Sequence, residues 1–110
     1  MAAAVWRVRD AATFRELRRR GRRLRSGGLS VTWLPDPGGH PPRVAYAIGR
    51  PVGNAATRNR LRRRLRAIVV ELAPDLRPGT YLIGVDPTVA TLDHGDLRRT
   101  LCTVLSELPG

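Results

Sequence analysis

The chain has no lysine. All 20 of its basic residues are arginine, set against 9 acidic residues, for a formal net charge of +11 over 110 residues. Arginine, alanine, glycine and proline share GC-rich codons, so base composition accounts for part of this usage. It does not remove the charge. A compact domain this basic repels itself and binds polyanions at least non-specifically. Cysteine is nearly absent as well. The single Cys102 excludes an intramolecular disulfide and a cysteine-based zinc site, and its amphipathic surroundings make it a small core residue. No run approaches the ~18 apolar residues of a membrane span. Residues 1–5 are too short for a signal peptide and are soon followed by arginines and Asp10, so the expected location is cytoplasmic.

Catalytic patterns are missing too. There is no Gly-x-Ser-x-Gly, no phosphate-binding loop, no Cys–His arrangement and no internal repeat. His40 and His94 have no second His, Cys or carboxylate at ligand spacing. Asp93 and Asp96 read more simply as helix-capping residues than as a metal pair. The length suits one domain, residues 1–110, with a modest core. Nothing in it reads as a self-sufficient protein active site.

What is present is organised around residues 53–72, GNAATRNRLRRRLRAIVVEL. Asn54 is a good N-cap. Leu61, Leu65, Ile68 and Leu72 recur at helical spacing, and Pro74 ends the run. Arg58, Arg60, Arg62, Arg63, Arg64 and Arg66 lie between them, with Glu71 the only acid of the stretch. Arginines three and four apart repel one another, so a solvated face would be expected to carry both signs. This one reads instead as a nucleic-acid surface. Arg58 alone falls inside the apolar arc of the wheel. It is tolerated there only at the first turn, where its head group can reach a groove, and it reads as placed for a ligand.

The flanks predict helix, strand, strand, helix, strand, helix. Asp10 caps a helix over residues 11–20, with Phe14 and Leu17 on one stripe and Gly21 at its end. Residues 22–28 read as a basic loop. Residues 29–34 alternate as a half-buried strand, residues 35–42 form a Pro/Gly loop, and residues 43–48 read as a hairpin partner of that strand. Residues 81–85 read as a central strand. Asp93 or Asp96 caps a last helix carrying Leu97, Leu101, Val104, Leu105 and Leu108. This order suggests an α+β sandwich, with helices packed on a small sheet. Tyr46 faces either the core or an exposed sheet face, and alternation does not decide which.

The run RPVGNAATRNRLRR, residues 50–63, resembles the motif of the bacterial ribonuclease P protein subunit: a basic turn, Gly-Asn-Ala, two spacers, Arg-Asn-Arg and a basic amphipathic helix. The likeness extends over nearly the whole chain, from the Phe14 helix to the final helix. It implies a single-domain α/β sandwich: a small, mostly antiparallel sheet of about four strands, three helices and a left-handed crossover. The strand still lacking would flank the Pro-rich loop. It also implies a subunit of an endoribonuclease that removes the 5′ leader of precursor tRNA. The catalyst is an RNA subunit using Mg²⁺ held mainly by RNA and substrate. The implied partners are ribonuclease P RNA and precursor tRNA, with no membrane and no protein partner. By the resemblance Arg58, Asn59 and Arg60 face RNA, with Arg62, Arg63 and Arg66 continuing the contact. Arg50 matches a basic residue of the turn. Phe14 matches an aromatic of a leader cleft made by sheet and first helix, and Arg18 joins it as an RNA contact.

The chain departs from the family pattern in three places. Arg18 stands where a second aromatic is common, Pro51 where a second basic residue is, and Thr32 where a tyrosine is. The alternative is a general or ribosomal RNA-binding protein without a processing role. A DNA-reading helix would want more than Asn59 among its arginines, and a membrane-surface helix would want a Trp or Phe anchor.

Overall fold

The computed structural model describes residues 5–8, 10–35 and 41–108. His40 and most of the expected Pro/Gly loop lie outside them. The elements are β1 (Trp6–Arg7), α1 (Ala11–Arg20), β2 (Arg22–Ser26), β3 (Leu29–Pro35), β4 (Arg43–Ala47), α2 (Ala55–Leu72), β5 (Gly79–Val85) and α3 (His94–Ser106). All three helices start at the expected caps. Asp10 accepts from the Thr13 amide at 3.0 Å, Asn54 from the Thr57 amide at 2.9 Å, and Asp93 from the Asp96 amide at 2.8 Å. Each satisfies a first-turn N–H that the helix leaves open. Between the two candidate caps of α3, Asp93 is the cap and Asp96 lies in the first turn.

The strand pairing differs from the sequence expectation in two ways. Residues 22–26 are a strand, not a loop, and they, rather than residues beside the Pro-rich loop, supply the lacking strand. Gly27 and Gly28, at φ 56° and 86°, make a two-residue turn into β3. Positive φ at both positions is what a type I′ hairpin requires. β3 then pairs with β2 and β5, so β4 is not its hairpin partner. β4 instead runs parallel to β5, with α2 as the crossover between them. The sheet order is β1-β4-β5-β3-β2. Two junctions are antiparallel and two parallel, the second parallel one being the two-residue β1 against β4. The sheet is therefore mixed, and β5 is central, as its apolar run implied.

The two faces of the sheet carry different layers. Register places Leu29, Val31 and Trp33 of β3 level with Val85, Ile83 and Tyr81 of β5, and Val44 and Tyr46 of β4 level with Tyr81 and Ile83. This face joins Leu61, Leu65, Ile68 and Val69 of α2 and Leu97, Leu101 and Val104 of α3 in one core. Burying each such side chain stabilises by about 1.5–3 kcal/mol. Like-charge crowding on α2 costs only a few tenths of a kcal/mol per pair, so burial wins. The opposite face presents Ser30, Thr32, Ala47, Leu82 and Gly84, and α1 packs across it through the fully buried Leu17. Gly21 ends α1 in extended backbone. A Cβ there would meet the Leu17 carbonyl oxygen and lie 2.6 Å from Thr32 Cγ2. Glycine is needed for close packing of α1 on β3, not for a left-handed turn.

Candidate nucleic-acid interface

The arginine helix keeps its charge available. Glu71, its only acid, pairs with Arg98 of α3 at 3.0 Å. None of the six α2 guanidiniums forms an ion pair among the described residues. Asn59, Arg60, Arg63 and Arg66 are exposed, and Arg58 and Arg62 are half-buried. Arg62 donates to Asn59 Oδ1 at 2.9 Å, which holds both side chains on one flank. Arg66 lies over the Tyr46 ring, 5.9 Å from its centroid. Tyr46 therefore faces α2, and burial pushes its hydroxyl up to about 12. Arg64 serves the fold instead. It donates to the Leu92 carbonyl at 2.8 Å and ties α2 to the segment before α3. Arg58 Nε is buried with no hydrogen-bond partner among the described residues. A buried donor left unpaired costs about 1–3 kcal/mol, and an acceptor brought by a ligand would remove that cost.

The turn before α2 is a 3₁₀ turn over Arg50–Val52, with Arg50 exposed. Pro51 sits in its first positions, where its missing N–H costs nothing. Gly53 follows at φ 156°, and a Cβ there would lie 3.0 Å from Thr57 Cβ and Cγ2.

α1 faces two concave regions. Near its start, Phe14, half-buried, lines an open groove of about 350 Å³ with Tyr46, Arg62, Arg66, Val69 and Val70. One turn later Arg18 lines a separate cleft of about 300 Å³ with Arg23, Ser30, Thr32 and Gly84. The structure thus brings Phe14 beside Arg62 and Arg66 of α2, and Arg18 beside β2 and β3. Arg23 escapes sequence reasoning because residues 22–28 read as a loop; the pair Gly27-Gly28 is the signal for the hairpin that places it.

The sequence profile of the ribonuclease P family matches residues 3–109. A ribonuclease P protein component from a Nocardioides species is 41% identical over 105 residues, covering 92% of this chain and 89% of that one. The chain belongs to the ribonuclease P protein family. A second member, from Clavibacter michiganensis, is 42% identical over 83 residues, 76% of this chain and 74% of its own length. The fold agrees at longer range. The ribonuclease P protein of Thermotoga maritima superposes with a TM-score of 0.84 at 21% identity, covering 94% of this chain and 98% of that one. That of Staphylococcus aureus gives 0.84 at 16% identity, over 92% and 93%. The family places the chain as a subunit of an RNA-processing endoribonuclease. The expectation from residues 50–63 is met by relatives that extend well beyond that motif.

Proposed function

We propose that this protein is one RNA-binding domain that works in the bacterial cytoplasm, holding the catalytic RNA of ribonuclease P with α2 and the single-stranded 5′ leader of precursor tRNA with the α1–sheet side. The observation that carries the reading is the unpaired arginine face of α2, whose one acid is taken by Arg98. Arg58, Asn59, Arg60, Arg62, Arg63 and Arg66 form the catalytic-RNA contact, with Arg50 at its edge. Arg58 Nε, buried without a partner, suits an RNA oxygen. Phe14 and Arg18 meet the leader. Their chemistry is charge screening and positioning: guanidiniums neutralise phosphates of two RNAs that would otherwise repel, and a planar guanidinium can also stack on a base. Hydrolysis would belong to the RNA. Mg²⁺ would be held by RNA and substrate.

The test is binding to a bacterial ribonuclease P RNA across a salt series. Neutralising about six phosphates gives a log–log slope of roughly −4 to −5. Arg58→Ala and Arg63→Ala should each make the slope shallower by about 0.7–0.9 while the melting temperature holds. A slope near zero, or an Arg58→Ala protein that simply unfolds, would contradict the assignment.

A further inference from the structure

Arg23 is one of the basic residues that neither the motif nor the arginine helix accounts for. It lies on β2, level with Thr32 of β3, on the sheet face that α1 crosses. Arg18 of α1 lines the same cleft. Both are exposed at the rim, and neither guanidinium has a partner among the described residues. Arg25 follows two residues on along the same strand face, level with Ser30, and its charge is partly offset by Asp86. The floor between the rims is neutral: Ser30, Thr32, Ala47, Leu82 and Gly84. No acid and no aromatic ring lines the cleft among the described residues. Phe14, the nearest ring on α1, lies one turn earlier and faces the other groove.

A surface that reads unpaired bases needs rings to stack them, and a ring is worth about 5- to 150-fold in affinity per base. This cleft has none. It has guanidiniums, whose fork of N–H donors matches a phosphate in two-point contact. We infer that RNA lying between α1 and β2 is held by its phosphates, with Arg23 and Arg18 as the two jaws, and that the bases there go unread. The inference rests on the proposed function, because it takes the strand in this cleft to be the 5′ leader. Leader recognition over these nucleotides is then independent of base identity, and only a base reaching Phe14 is stacked.

The experiment uses the holoenzyme reconstituted with a bacterial ribonuclease P RNA. Precursor tRNAs carry, one leader position at a time, either an abasic residue or an uncharged methylphosphonate. Two or more adjacent positions should lose affinity with the methylphosphonate and stay within about twofold with the abasic residue. In Arg23→Ala and Arg18→Ala holoenzymes that methylphosphonate loss should disappear, and each variant should make the leader-dependent salt slope shallower by about 0.7. Arg23→Gln, which keeps a long polar side chain on the edge strand, should behave as Arg23→Ala. The inference is overturned if every phosphate-sensitive position is equally base-sensitive, or if Arg23→Ala and Arg23→Gln leave leader affinity unchanged. A holoenzyme that gains nothing from the protein on any leader overturns the function itself, which is a separate result.

Discussion

Residues of one type do three different jobs here, and surroundings sort them. Arg64 is tied to the Leu92 carbonyl, Arg66 lies on Tyr46, and Arg58 has a buried Nε without a partner. Arg58 is legible in the sequence as an oddity of the apolar arc, since that depends only on helical period. Arg64 is not, because Leu92 is distant in the chain. Arg64→Ala should therefore cost stability, about 1–2 kcal/mol by chemical denaturation, with RNA affinity almost intact. Arg63→Ala should do the reverse. Tyr46 shows the same limit: alternation leaves its side undecided, and only the parallel pairing with β5 turns it toward α2. Burial raises its hydroxyl to about 12, from 10 when unfolded. The native state then holds its proton where the unfolded chain loses it. This contribution is complete below pH 10 and is lost as pH climbs from 10 to 12. Tyr46→Phe should flatten the fall in melting temperature across that window; an unchanged slope would mean that this hydroxyl titrates alike in both states.

At the scale of elements, what is legible is local. Helix caps are set by residues three apart, and Asp10, Asn54 and Asp93 all hold as caps. Asn54→Ala should cost about 1 kcal/mol and also loosen the Arg58 end of α2, so both the melting temperature and RNA affinity should drop. Strand partners are not local. β2 reads RRLRS, with a single apolar residue, because its outer face is solvated and only Leu24 packs on the core. Period-two reasoning has too little to work on there, although Gly27-Gly28 announces the turn. Choosing β5 rather than β4 as the second neighbour of β3 depends on where α2 returns the chain, which no short window encodes.

For the whole molecule, the sheet divides the work. One face is covered by α2 and α3 in a continuous apolar core, and the other carries α1 and the cleft beside it. Arg62 and Arg66 of α2 line the groove that Phe14 of α1 enters, and Arg18 and Arg23 line the cleft one turn further along α1. The motif reaches the family; where the two concave regions lie is beyond it, because that follows from strand order. The most direct test is cleavage of a precursor tRNA by a bacterial ribonuclease P RNA at low Mg²⁺, with and without this protein. A protein that screens and positions both RNAs should raise cleavage at the mature 5′ end, and a leaderless competitor tRNA should inhibit less well than a leader-bearing one. Tight RNA binding with no gain in cleavage would contradict that role and leave a general RNA-binding protein in its place.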